Sequence, residues 1–487
     1  MAAALARERD HSWASHACYH TPFVPLHMLP RDIQMQEKVR VRRVGEQLED
    51  GAVATRPTAE FYLRPRITLD PTAGEGSPND TTDPEEKRTH LGGVRMLGRA
   101  AAMVACACAE DAGVEPRVWC LDDSDAYCFM QVQRAEWWFN AFLAFDAQGR
   151  AIPAFLMRVG FGGAHAVQRY QGVSTIRNRL ARQRCREFEL LHPQPPGVQR
   201  WQLRRRQLQE AGLLTEGPEQ TVPGFSMNYI DDTAGVSHSQ PLHCSCDWCR
   251  RLAGVDLGAT NTIAIGGTPL EPGTRAAAEL AIHLEATLAL NLQPNFGKTE
   301  GGTAVVNLGA RVRIPGPGLP HGRIDCPEAK ALGVRRRNTE LAERLRSASE
   351  ADRKQVERHV GRLSNLSQVF PELVPYLQGG HRVRRAAFMD ASGSRRTPKV
   401  VGLGAASQAR RLYEAMLAVA EEVLTRNEGI PLAAASEFPA VGAPGVWTCT
   451  TDASGELTPM TIEAGVCTTR APEATRSPPN GRGTSCW

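Results

Sequence analysis

No run of apolar residues in this 487-residue sequence approaches the roughly 18 that a membrane-crossing helix needs, so no membrane span is expected. The opening stretch MAAALARERD lacks the apolar core of a secretory signal, which sets the expectation of an intracellular chain, cytoplasmic or nuclear. Charge of one sign is also scarce: a net charge of +4 and a pI of about 8.4 exclude a polycation, so any nucleic-acid surface must be local. The 13 cysteines are scattered and follow no disulfide framework, which argues for reduced thiols. Internal repeats are absent. What the sequence does have is length and apolar content: 487 residues, 42% hydrophobic, are enough for two to four cored units.

Along the chain, residues 36–70 alternate basic and apolar positions (KVRVRRV, then FYLRPRITLD), the pattern of short strands, and residues 71–90 have loop composition. Leu97, Ala101, Val104 and Cys108 share one face of a helix predicted over 91–113. The run RVWCLD (117–122) reads as a buried strand ending in acid. Two more strand-like runs lie in 140–159 around the turn Ala147-Gln148-Gly149. Residues 172–210 are rich in arginine (Arg177, Arg179, Arg182, Arg184, Arg186, Arg200 and Arg204 to Arg206), which fits either a solvated helix face or phosphate contacts. FSMNYIDD (225–232) is a second short run ending in acids. Helices are expected over 275–293, 338–378 and 409–425, and a strand–turn–strand over 303–314.

Two strand ends thus carry carboxylates: Asp122-Asp123-Ser124-Asp125-Ala126-Tyr127, and Tyr229-Ile230-Asp231-Asp232. Hard oxygen ligands on neighbouring strands suit Mg²⁺, and nucleotidyl transfer to a 3′-hydroxyl uses two such ions. An acid pair in a β-turn is also common without any ligand. The functional reading therefore rests on the tetrad occurring in order with other pieces.

In that order, LDDSDAY, VGFGGAHAVQRY, NYIDD, NFGKT and NLG resemble the reverse transcriptase family over about residues 60–315. The resemblance implies an α+β right-hand polymerase with fingers, an antiparallel palm sheet and a helical thumb. It implies that Asp122, Asp231 and Asp232 are catalytic and bind two Mg²⁺ ions, with Mn²⁺ as a substitute. It assigns nucleotide-binding roles to Arg66, Asp125, Ala126, Tyr127, Gly162, Tyr229 and Lys298. Tyr127 would reject a 2′-hydroxyl, Gly162 would let backbone approach the nucleotide, and Arg66 and Lys298 would neutralise phosphate. The partners implied are an RNA or DNA template with its primer, and deoxynucleoside triphosphates. Gly160 and Val167 stand where the family has prolines.

The domains expected are a disordered N-terminus (1–35), fingers (36–116), and a palm with part of the fingers (117–324) carrying insertions at 172–222 and 234–275. A thumb (325–385) and a connection (386–445) follow. Residues 446–487 resemble a ribonuclease H start, of the kind in long-terminal-repeat or tyrosine-recombinase retrotransposons, followed by a disordered tail. Asp452 would be its first metal ligand, but 35 residues after it are too few to build that fold, so no ribonuclease H activity is expected. Two other readings stay open. One is a decayed or co-opted element fragment that binds nucleic acid without catalysis. The other is a zinc-binding nucleic-acid module, because His238, His243, Cys244, Cys246 and Cys249 cluster in sequence, although Cys-x-x-Cys spacing occurs there once only.

Overall fold

In the computed structural model, the described residues are 93–211 and 224–432, apart from short internal breaks at 125, 135–136, 138–140, 146–147, 160–165, 254, 256, 258–260, 316–318, 320–321, 386–387, 390–394, 397–398 and 405. Beyond them it describes Gln47 and the strand paths 28–29, 31–42, 58–69, 460–463 and 466–469. The architecture is a mixture of helices and antiparallel sheets.

Nine helices carry the described part of the chain: α1 (Val94–Cys108), α2 (Ala166–Leu191), α3 (Pro196–Glu210), α4 (Asp247–Ala253), α5 (Arg275–Ala289), α6 (Glu328–Ala348), α7 (Arg353–Leu366), α8 (Leu377–Arg385) and α9 (Gln408–Arg426). The central sheet joins β1 (Pro116–Asp122), β2 (Phe225–Tyr229), β3 (Asp232–His238) and β4 (Glu300–Gly302) in the order β2-β3-β1-β4, with every pair antiparallel. A second antiparallel sheet follows: β5 (Ala304–Asn307), β6 (Ala310–Arg313), β7 (Arg323–Asp325) and β8 (Ile430–Pro431).

The apolar stretch of β1, Val118 to Leu121, has a simple cause. Side chains alternate across a strand, and this strand is covered on both faces. Val118 and Cys120 pack with α1 residues such as Leu97, Ala101 and Val104. Trp119 and Leu121 point the other way, onto Ala276, Leu280 and Leu284 of α5. Gly235 on β3 lies opposite Trp119, and a Cβ there would meet the indole at 2.2 Å, so only glycine fits under the ring.

Helix α2 covers the same face beside β2, and here the contact is polar. Asn228 Nδ2 donates to the Ser174 carbonyl at 2.8 Å, and Ser226 Oγ donates to Asn178 Oδ1 at 2.6 Å. The segment expected as an insertion at 172–222 therefore contains a helix that builds the sheet's cover. The segment expected at 234–275 begins inside β3 and ends at the start of α5.

The helical region expected over 338–378 begins earlier, at Glu328, and is three helices plus a 3₁₀ turn (Pro371–Tyr376). Leu341 and Leu345 of α6, Val360 and Leu363 of α7, and Tyr413 and Met416 of α9 share one core with α1. Helix α9 thus packs with the helices expected as a separate thumb. The chain after it is tied back by Asn427, whose Nδ2 donates to the Cys326 carbonyl at 2.8 Å and whose Oδ1 accepts from the Cys326 N–H at 3.1 Å. Among the described residues, no helix is long and apolar enough to cross a membrane.

Candidate active site

The register of the central sheet sets the site. Asp122, the last residue of β1, is the cross-strand partner of Asp232, the first residue of β3. Tyr229 pairs with Asp232 across a two-residue turn made of Ile230 and Asp231. Ile230 holds φ at +58°, in a region costly for a β-branched residue, and its N–H is anchored to Gln171 Oε1 at 2.8 Å. Hairpins of this length need a positive φ in the turn, so the strain follows from placing Asp231 at the tip. Asp123 N–H donates to the Asp231 carbonyl at 3.3 Å and stitches the two strand ends together. Three acids from two distant parts of the chain are thereby brought to one end of the sheet's two central strands.

Their electrostatics reflect that crowding. Burial pushes the Asp232 carboxyl up to about 7, and the neighbouring charges of Asp231 and Asp122 push the same way. Asp231 is also raised, first by burial and then by Asp122. Among the described residues, the cation in contact with them is Lys298, whose Nζ lies 2.7 Å from Asp122 Oδ2. Asn295 Nδ2 donates to the same oxygen at 2.9 Å, and Asn295 N–H donates to the Asp122 carbonyl at 2.8 Å. The segment expected to carry Lys298 to the acids is thus pinned to the end of β1. Three carboxylates against one ammonium leave net negative charge, and the donors are all hard oxygens, a set that fits Mg²⁺ or Mn²⁺.

The other expected site residues fall into two groups. Ala126 and Tyr127 start a 3₁₀ turn (Ala126–Phe129) and are buried with Val159, Ala166 and Tyr170; the Tyr127 ring meets Tyr170 edge-on at 5.8 Å. Tyr127 therefore sits in a packed cluster beside the Ile230 turn. Tyr229 is half-buried at the hairpin end. Arg66 lies on the strand Thr58–Leu69 opposite Gln34, and its side chain is outside the described residues. Asp125 and Gly162 also lie outside the described residues, as do Asp452 and Asp390.

The sequence reading missed Asp123. Its carboxylate is fully buried, accepts a hydrogen bond from Tyr170 Oη at 2.6 Å and is ion-paired with Arg177. Arg177 also bonds Thr233 Oγ1 on β3 and Ser174 Oγ, the latter at 3.1 Å. Burial raises the Asp123 carboxyl, opposed by Arg177 and Tyr170. Arg177, expected on a solvated or phosphate-binding face, is instead the buried bolt between α2 and both acid-bearing strands. The signal for it was a single buried-helix position, and a run of surface arginines masked it.

A second cluster lies at the far end of α2. His192, Cys244, Cys246 and Cys249 bring one ligand atom each to within 4.8 Å of one another. His238, expected nearby, is buried and bonded to Gln194 Oε1 at 2.6 Å, with its ring pushed down to about 3 by burial and by Arg275. His243 is exposed and is not in the group.

No protein-family model matches this chain. No curated protein matches it. Among solved structures, it is similar to the foamy viral protease-reverse transcriptase in complex with ds DNA, at 11% identity and a TM-score of 0.36, over 74% of this chain and 42% of that one. The foamy viral protease-reverse transcriptase in complex with RNA/DNA hybrid gives 12% identity and a TM-score of 0.35, over 75% and 32%. A mutant of the prototype foamy virus protease-reverse transcriptase gives 13% and 0.31, over 85% and 35%. The matched parts span less than half of each of those chains.

Proposed function

We propose that this chain is a template-directed DNA polymerase of the reverse transcriptase kind. In the reaction, a primer 3′-hydroxyl attacks the α-phosphate of a deoxynucleoside triphosphate. A new phosphodiester bond forms, pyrophosphate leaves, and the hydroxyl proton is released. The observation that carries this reading is the Asp122–Asp232 register with Asp231 at the adjoining turn.

Asp122, Asp231 and Asp232 would hold two magnesium ions, which supply Lewis-acid activation of the hydroxyl and charge stabilisation at the leaving group. Asn295 and Lys298 fix the Asp122 carboxylate by two hydrogen bonds, so its orientation is set before any ligand arrives. Lys298, whose side chain is largely exposed, offers an ammonium to phosphate charge and a proton to departing pyrophosphate. Arg177 and Tyr170 hold Asp123, and through it the strand end, without entering the chemistry. In this reading the central sheet with α1, α2 and α5 is the palm, and α6 to α9 supply the thumb. Template RNA or DNA, primer and deoxynucleoside triphosphates are the partners, inside the cell.

The burial of Tyr127 favours a second reading, in which the chain binds nucleic acid but no longer extends it. Primer extension on RNA and DNA templates with Mg²⁺ or Mn²⁺ separates the two. Extension by the natural chain, lost in Asp231→Asn, supports the polymerase. Binding of primer–template with no extension above that variant supports the second reading and overturns the first.

A further inference from the structure

We propose that His192, Cys244, Cys246 and Cys249 form a structural zinc site that fastens the end of α2 to the segment following β3. His192 Nε2 lies 3.5 Å from Cys246 Sγ and 3.3 Å from Cys249 Sγ. A tetrahedral zinc with Zn–S of about 2.3 Å and Zn–N of about 2.0 Å has ligand–ligand edges of roughly 3.5–3.8 Å, close to the two His192–cysteine distances, and all four ligand atoms lie within 4.8 Å of one another, so small side-chain shifts would close them on an ion. Three thiols and one imidazole are a borderline-soft donor set that suits zinc and not magnesium.

The surroundings match a ligand site in three further respects. His192 Nδ1 lies 3.1 Å from the Phe188 carbonyl, so its N–H donates there and the Nε2 lone pair faces the thiols. Backbone amides donate to two of the sulfurs: Cys246 N–H to Cys244 Sγ at 3.3 Å and Cys249 N–H to Cys246 Sγ at 3.5 Å. Amide donors of this kind favour thiolates. One side is dry, because Phe188 stacks on the His192 ring at 4.3 Å, while Cys244 is exposed and leaves a path for the ion. A disulfide explains the cluster less well. It would use two of the three thiols, leave the third behind, and give no role to an imidazole nitrogen aimed at two sulfurs.

The site lies on the same helix as Arg177, roughly 20 Å further along it. Zinc there would fix the C-terminal end of the helix whose middle, through Arg177, bolts the acid-bearing strands together. The inference does not depend on the polymerase reading.

The test is metal analysis of the full chain purified without chelator, joined to cobalt exchange. About one zinc per chain is expected, lost in His192→Ala and in Cys246→Ser, and kept in His243→Ala. Cobalt in place of zinc should give intense visible bands of a tetrahedral ion together with thiolate charge transfer. His192→Cys should retain the metal. Chelation should lower the thermal midpoint of the natural chain and leave that of His192→Ala unmoved. Should the substituted chains fail to fold, the cobalt spectrum of the natural chain still decides. A pale octahedral spectrum, absence of stoichiometric zinc, a disulfide among the three cysteines, or zinc retained in His192→Ala overturns the proposal.

Discussion

Replacing Arg177 by methionine removes the one cation paired with Asp123 among the described residues and keeps much of the side chain's volume. Both groups are fully buried, so the carboxylate is left with the Tyr170 hydroxyl alone. Breaking one side of a buried pair costs about 3–5 kcal/mol, because an uncompensated charge stays behind. The carboxyl has one escape, which is to take up a proton. From an ordinary aspartate value near 3.9, neutralising it costs about 4 kcal/mol at pH 7 and only about 1.5 kcal/mol at pH 5. Loss of Arg177 raises further a carboxyl that burial already raises. Stability from such a group is present below its unfolded value and is lost as pH rises through its folded one. The Arg177→Met defect should therefore be near 4 kcal/mol at pH 7 and shrink by roughly 2–3 kcal/mol at pH 5. Adding Asp123→Asn should recover most of it, since no charge remains to be compensated. Urea unfolding followed by tryptophan fluorescence reads this directly, with fully buried Trp119 as a reporter in the central sheet. A defect under about 1 kcal/mol at pH 7, or one that is equal at both pH values and not rescued by Asp123→Asn, refutes the reasoning.

Gly235→Ala would drive a Cβ into Trp119, and the overpacking should cost about 1–3 kcal/mol in urea unfolding. Burial pushes the Glu300 carboxyl up to about 7, so its contribution to stability, present below about 4.5, is lost as pH rises through about 7. Glu300→Gln should flatten that slope, with a gain over the natural chain of roughly 2–4 kcal/mol at pH 8 that falls to about 1 kcal/mol at pH 5 and vanishes by about pH 4, as stability measured across pH will show. Lys298→Ala should lower primer extension at least tenfold while leaving cation affinity at the acids unchanged or tighter, because the ammonium competes for Asp122.

The sequence made the strands legible where apolar residues follow one another without alternation, as in Val118 to Leu121, because the middle of a strand covered on both faces has no solvent-facing position. It also made the acids legible, because each ends an apolar run. Helix α2 was harder to place. The middle of its inner face is Ser174, Arg177 and Asn178, set between the apolar Ala166 and Tyr170 on one side and Ala181 and Phe188 on the other, so the periodicity that marks a buried helix face is interrupted, and the segment reads as an arginine-rich insertion. The same cause hid Asp123, one of three neighbouring acids with no local sign that one of them is structural. His192 was invisible for a different reason. It meets three cysteines more than fifty residues away through tertiary packing, and no spacing rule spans that distance. His243, adjacent in sequence, was the natural choice and is exposed.

Manganese titration followed by electron paramagnetic resonance of the free ion tests most directly whether Asp122, Asp231 and Asp232 share divalent cations. The natural chain should bind Mn²⁺, and Mg²⁺ should displace it. Asp122→Asn and Asp231→Asn should each weaken binding by at least the roughly 10–100-fold that loss of even an outer-shell partner costs. Equal Mn²⁺ affinity in the natural chain and both variants, with each folded by circular dichroism, would contradict the account.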